Sequence, residues 1–411
     1  AENRMAERIS GTSGSDPETT PRGFRLLLGA RGISYAGDTL SMVALMLHVA
    51  SSTGQALAVS ALLLAGDFVP SLVAPFAGAL ADRFDRRRLT IGCELVQALT
   101  VAVIALALPP VGPLLALVAV RAVAGQVFQP ASRAAVPSLV PAAGLAAGNA
   151  RLGLVTNVAE LAGPLLAAAL LPWLGTRGVL AVDAASFLVS AALLTGLPRL
   201  APAALAIESL WKGARTGLGY LARHRTVRVV ALGFCAVVLC TGVDDVALVV
   251  LSQEDLRTGD SVAALLLGAV GLGLTAGYAL LSRRGAWIRM TTLFAAGLAV
   301  SAAGNLLTGA LAHVAWAAAV VFAMQAGRGL GIAAIDVASN TLLQRLVPDA
   351  MLGRVFANLY GAVGAAAALS YVLGGLLLDA AGAPATLVAA GAGGVVCALL
   401  TGVALRARRV D

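Results

Sequence analysis

Charge is scarce in this chain. Only 12% of its 411 residues are Asp, Glu, Lys or Arg, 59% are hydrophobic, and the mean hydropathy is +0.88. A water-soluble domain carries far more charge on its surface, so a soluble globular fold is excluded. Lysine occurs once, at Lys212 between Trp211 and Gly213, which rules out a phosphate-cradling loop ending in Lys followed by Ser or Thr. Energy taken directly from nucleotide hydrolysis is excluded with it. The histidines, His48, His224 and His313, are scattered and form no zinc-binding or nucleophile-activating pattern, so an enzyme is not expected. Cys93, Cys235, Cys240 and Cys397 lie in apolar stretches without metal-ligand spacing and read as small packing residues. Neither a metal nor a cofactor is implied.

What remains is hydrophobic runs. They fall near residues 24–50, 55–81, 89–110, 113–134, 149–172 and 178–197, then near 229–252, 261–282, 289–311, 314–340, 355–379 and 383–405. A spanning helix needs roughly 20 mainly apolar residues, so about a dozen spans fit. A spanning β-barrel would show short alternating segments instead of these long runs of Ala, Leu, Val and Gly. The expected fold is an all-α integral membrane protein with twelve transmembrane helices in two pseudo-symmetric six-helix bundles. The first bundle is expected over 23–197 and the second over 229–405. A flexible tail at 1–22, a linker at 198–228 and a second tail at 406–411 complete the expected division. The linker sets Lys212, Arg215 and Arg223 beside Leu210, Trp211 and Leu221, a pattern suited to an amphipathic helix on the membrane surface.

The net charge of +8 does not point to nucleic acid, because the arginines are dispersed along helix ends with no folded basic domain to hold them. They serve as topology signals. Arg83, Arg86, Arg87, Arg88, Arg283, Arg284, Arg406, Arg408 and Arg409 fall on the side shared by both termini, whereas Arg177 and Arg257 fall on the other. Positive loops stay in the cytoplasm, so both termini are expected there, in a bacterial inner membrane.

Arg121 and Arg328 interrupt otherwise apolar runs 207 residues apart, and the text after them repeats. RAVAGQVFQPASRAAVPSLVP and RGLGIAAIDVASNTLLQRLVP agree without a gap at Ala131/Ala338, Ser132/Ser339, Leu139/Leu346, Val140/Val347 and Pro141/Pro348. The same offset carries Asp38 onto Asp245. A membrane chain that repeats a buried charge in each half is built from two similar bundles, with a cargo site where they meet. Arg31, Tyr35 and Asp38 share one helix face, and Arg121, Gly125, Gln129 and Ser132 another. Asn157 and Glu160 lie three apart, while Gln325, Arg328, Asp336 and Ser339 mark a later run. A charge at mid-bilayer costs ~2.5 to 3.5 kcal/mol by insertion scales, so such residues face a wet cavity or one another. Asp67, Asp183 and Asp244 also read as structural partners between helices, and Arg31 as a residue that snorkels to the membrane surface.

The most specific local motif runs from Gly78 through Asp82, Arg83, Asp85, Arg86, Arg87 and Arg88. An acid at a helix end beside arginines can hold or release one helix against another, and Gly78 one turn earlier admits a neighbouring backbone. Here the chain resembles the major facilitator superfamily, whose loop between spans two and three reads G-x-x-x-D-R-x-G-R-R. The match holds at Gly78, Asp82, Arg83, Arg86 and Arg87, with Asp85 in place of the second glycine. Arg121 followed by Gly125 matches the family's arginine in span four, and Gly163-Pro164 its antiporter mark in span five. The segments from Asn340 to Gln344 and from Val347 to Asp349, with Gly353, Arg354, Val355 and Phe356, look like bacterial exporters of the drug and siderophore branch.

The resemblance implies a secondary transporter working by alternating access, most simply a proton-coupled antiporter exporting a small amphiphilic molecule: a drug, an antibiotic or a siderophore. Uptake of a small solute, and a receptor on the same fold, stay open. A monomer is expected, with the lipid bilayer, protons and a small molecule as partners. Asp38 and Glu160 are the expected proton or cation sites, with Arg121 beside them.

Overall fold

The computed structural model of the chain describes residues 21–406 other than 54–55, 201–209, 243, 252–255, 257–259, 285–287 and 313–316. The expected tails therefore lie almost wholly outside the described residues, as do Arg257 and His313. Every regular element among the described residues is helical. In chain order they are α1 Arg22–Thr53, α2 Ala56–Arg83, α3 Arg86–Ala107, α4 Val111–Leu139, α5 Leu145–Thr195, α6 Leu210–Arg223, α7 Arg225–Thr241, α8 Asp244–Val250, α9 Asp260–Arg284, α10 Met290–Ala310, α11 Ala317–Leu346 and α12 Leu352–Arg406.

Two of these are each a pair of spans. α5 breaks at Gly175 (φ 61°, ψ 179°) and α12 at Gly382 (φ 77°, ψ 173°), backbone states that only glycine adopts without strain. Counting each as two spans, and α7 with α8 as one broken span, gives twelve spans among the described residues, six in each half. Among the described residues, eight helical segments are long and apolar enough to cross a membrane by length and composition, and a ninth if the end of α6 is joined to α7 across the 101° bend between them. Their outer faces carry Leu99, Leu106, Leu165, Leu399 and Val403, each more than 60% exposed, as a lipid-facing surface requires.

The repeat runs through the architecture. An offset of 207 carries Gly175 onto Gly382, the start of α5 at Leu145 onto the start of α12 at Leu352, and the short 3-10 turn Ala142–Gly144 onto Asp349–Met351. Each half has its own buried core. Phe24, Leu27, Cys93, Phe128 and Leu152 fill one part of the first, and Phe294, Leu298 and Ile335 a part of the second.

Successive spans alternate direction, so the ends of α2 and α4 and the starts of α3 and α7 gather at one end of the bundle, here termed the basic end for Arg83, Arg86, Arg87 and Arg88. The linker helix α6 runs between the halves. It seats on protein, because Gly213 and Gly217, four apart on one face, let Arg354 and Asn358 of α12 approach its backbone. Leu221 is buried against both halves, and the Tyr220 hydroxyl donates to the Leu346 carbonyl at 3.0 Å.

Candidate functional site: a charged cavity behind a closed junction

The two halves are fastened at the basic end. Asp82, 1% exposed, accepts hydrogen bonds from the backbone amides of Gly353 (2.8 Å) and Arg354 (3.0 Å) in the first turn of α12. Those amides have no partner within the helix and carry the positive end of its dipole, so a carboxylate is the natural occupant. Arg354 Nε at 3.5 Å and Arg86 at 3.9 Å add charge around it. Gly78, one turn back, allows the approach: a Cβ there would run into the Gly353 carbonyl and Ala357. Arg86 donates to the carbonyls of Ala134 and Asp349, both at 2.8 Å, joining the halves again.

Other motif residues do different work. Asp85 sits at φ −56°, where no glycine is needed, and caps α3 by accepting from the Arg88 amide at 3.1 Å. The departure from the family's glycine is thus a helix cap. Arg83 is exposed and stacks on Phe84, and Arg87 donates to the Thr195 carbonyl; neither reaches the junction between halves, contrary to the sequence expectation for a single gating cluster. Their positions at and just past the end of α2 point them away from α12.

The fastening continues to mid-depth. Asn149 of α5 donates to Thr341 (3.0 Å) and Gln344 (2.6 Å) of α11. Arg133 of α4 pairs with Asp336 of α11 at 3.3 Å, and Asp336 also accepts from Tyr278 (3.2 Å) and Asn340 (2.8 Å). Asp336 therefore belongs to the junction and not to a pocket with Arg328, as their common run suggested; eight residues along a helix separate them by more than two turns. Asn157 donates to the Gly271 carbonyl (3.2 Å) and Thr275 (2.8 Å) of α9, an interhelical role.

Above this junction, inside the first half, lies a cavity of about 360 Å³. Arg31, Tyr35, Asp38, Arg121, Gly125 and Gln129 line it, so the two predicted faces on α1 and α4 meet there. Gln97, Gln126, Phe128 and Phe187 complete a wall that is part amide and part aromatic. Arg121 is 4% exposed and forms a direct ion pair with Asp38, whose side chain is one-third exposed to the cavity. Arg31 does not snorkel. It is 5% exposed and donates to Ser132 (3.0 Å) and Thr156 (3.1 Å), tying α1 to α4 and α5.

The second half repeats the pair but seals it. Arg328 meets Asp244 at 2.6 Å, one residue earlier than the offset of 207 implies. The helix is interrupted between α7, which ends at Thr241, and α8, which starts at Asp244. The side chain of Asp245 lies outside the described residues, as do those of Asp67 and Pro164. Asn305 donates to Asp244 at 2.6 Å, and Arg328 donates to Gln325, which in turn donates to Thr308. These five side chains are all buried. Asp244→Ala would strand Arg328 in this setting and is expected to cost about 3 to 5 kcal/mol of stability, read as a lowered Tm in detergent; an unchanged Tm would mean that the pair does not form.

Glu160 is not a wall of the charged cavity. It is exposed on α5, on an arc between Thr156 and Gly163, which face α1, and Gly153 and Asn157, which face α9. Val158 and Leu165 point the opposite way, so helical periodicity sets Glu160 toward the cleft between the halves. Gly163 packs on Thr39 and Leu40, where a side chain would not fit. Sequence reasoning missed one acid altogether. Glu94 of α3 is 0% exposed, and the signal was available: it shares with Glu160 the distinction of being a glutamate within an apolar run.

Comparison with known proteins agrees with this architecture. A family model described as Major Facilitator Superfamily matches residues 27–330. The chain is 27% identical over 372 residues to an uncharacterized transporter of that type from Bacillus subtilis, covering 87% of each. It is 29% identical over 394 residues to the multidrug efflux pump Tap of Mycolicibacterium fortuitum, covering 90% of this chain and 93% of that protein. Among solved structures, a bacterial homologue of the iron transporter ferroportin in an outward-facing state superposes with a TM-score of 0.76 at 14% identity, over 93% of this chain and 98% of the other. Two six-span halves, an acid-and-glycine junction between them and a family match over most of the chain lead to one assignment: this protein belongs to the Major Facilitator Superfamily and is a membrane transporter, not an enzyme.

Proposed function

We propose that the protein exports a small amphiphilic, cationic or zwitterionic molecule in exchange for protons, with Asp38 as the carboxylate for which cargo and proton compete. The Arg121–Asp38 pair in the wall of the cavity carries this reading, because it is the partly exposed pair of the two. A proton on Asp38 removes its attraction for a cation, and a cation bound there opposes the return of the proton. Binding of one therefore weakens binding of the other, and that reciprocity is what an exchanger needs. Phe128, Phe187 and Tyr35 supply apolar surface for the body of the cargo, while Gln97, Gln126 and Gln129 offer amides to its polar groups.

The multidrug efflux pumps among its relatives support export. The positive-inside rule puts the basic end in the cytoplasm, so the fastened junction would close the inner side and leave the cavity in communication with the outside. In proteoliposomes, an imposed pH gradient is expected to drive accumulation of a cationic dye or a macrolide against its gradient. Collapsing that gradient with a protonophore should abolish accumulation while sparing counterflow of labelled cargo. Accumulation indifferent to the protonophore would contradict proton coupling.

A further inference from the structure

At the cavity wall and behind it the first half gathers more acid than base. Asp38 of α1, Glu94 of α3 and Asp183 of α5 stand against two guanidiniums, Arg31 and Arg121. Arg121 takes Asp38, and Arg31 spends its hydrogen bonds on the neutral hydroxyls of Ser132 and Thr156. Glu94 and Asp183 are both 0% exposed. Neither carboxylate oxygen of Glu94 has a hydrogen-bond partner, and Asp183 has one oxygen satisfied by Ser186 at 3.3 Å and one without a partner.

These groups are contiguous. Asp183 presses on α1 at Gly37, next to Asp38, where an added Cβ would strike the Ser186 hydroxyl and approach the Asp183 carboxylate. Around Glu94 stand Ser34 and Arg31 from α1, Asp183 and Ser190 from α5, and Cys93 on its own helix. Ser34, Asp38 and Ser41 recur on one face of α1, and Asp183, Ser186 and Ser190 on one face of α5. Glu94 lies one turn from Gln97, which lines the cavity.

Three carboxyls, two of them sealed from the cavity, facing two guanidiniums balance when one proton stays with the acids, since an ionised and unpartnered carboxylate in the sealed interior is the costliest state available there. We propose that Glu94 is a buried proton-binding site that exchanges its proton with Asp38 through Asp183. In one state Glu94 is neutral and Asp38 is ionised against Arg121. In the other the proton has left the Glu94 carboxyl for Asp38, and the negative charge stands beside Arg31 instead. Charge is conserved in the transfer and each arginine faces an anion in turn. This inference rests on the proton-coupled reading above and extends it from the cavity wall into the interior.

The test compares wild type, Glu94→Gln and Glu94→Asp in proteoliposomes, using a cationic dye for pH-driven accumulation and for counterflow. The ratio of accumulation to counterflow is expected to fall by about tenfold or more in Glu94→Gln and to be largely restored in Glu94→Asp. Infrared difference spectra between H₂O and D₂O should show a protonated-carboxyl band in wild type that is shifted by Glu94→Asp and lost in Glu94→Gln. A wild-type ratio in Glu94→Gln would overturn the Glu94 assignment and leave the Asp38 reading intact. Wild-type transport indifferent to the pH gradient would overturn both. If Glu94→Gln does not fold, the wild-type and Glu94→Asp spectra decide: no protonated-carboxyl band, or one unmoved by Glu94→Asp, overturns the proposal.

Discussion

Asp38→Asn is expected to reduce pH-gradient-driven accumulation by about tenfold or more, with little loss of folded protein. Asparagine keeps the size of the side chain and can still accept a hydrogen bond from Arg121, but it neither ionises nor takes a proton. Removing one member of a fully buried pair costs about 3 to 5 kcal/mol. Asp38 is one-third exposed to the cavity, and water there screens the arginine left behind, so a loss of about 1 kcal/mol is the expectation here. The contrast with Asp244 is the informative part. The same pair type occurs in each half, yet the sealed member should report on stability and the open one on transport. Equal Tm losses with equal transport losses in the two variants would remove the distinction.

Gly78→Leu should have the largest effect on conformation. Even a methyl group at this position meets the Gly353 carbonyl and Ala357, and the longer side chain would push the first turn of α12 off Asp82. Two amide-to-carboxylate hydrogen bonds go with that contact, each worth about 1.5 to 3 kcal/mol when the acceptor is charged. A loss of about 3 kcal/mol is a shift of roughly a hundredfold in the balance between closed and open basic ends. Spin labels at Arg83 and Asp349, residues near the junction but not fully buried in it, should therefore move apart in the variant. Gly78→Ala should produce a smaller displacement in the same direction.

Much of this was legible in the sequence because a membrane punishes misplaced polarity. The spans showed as long apolar runs, and Arg121 stood out because arginine among alanines and valines needs a partner. The repeat that joined Arg121 to Arg328 also runs through Gly175 and Gly382, whose positive φ angles mark the breaks between spans five and six and between eleven and twelve. What the sequence did not resolve were choices that depend on one residue of register or on which of two acids reaches inward. Asp244 and Asp245 are adjacent, and the repeat offset pointed to the second, whereas the structure shows the first paired with Arg328. Asp336 follows Arg328 in one helix, yet more than two turns apart they serve different neighbours. Glu94 escaped notice because a single glutamate between Cys93 and Leu95 has no motif around it; its partners come from α1 and α5, brought together only by the fold. Asp85 stands where the family motif has glycine, and its helix-capping bond to the Arg88 amide is visible only in three dimensions.

The central claim is that the charged cavity opens to one side at a time because the halves rock about the junction. Two distances test it most directly. One pair of labels at Arg83 and Asp349 spans the basic end, and a second pair at Ser51 and Ala310 spans the opposite end, both in lipid and both followed from low to high pH with and without cargo. The account predicts that the two distances change in opposite senses, one lengthening as the other shortens. Distances that stay fixed, or that lengthen together, would contradict it.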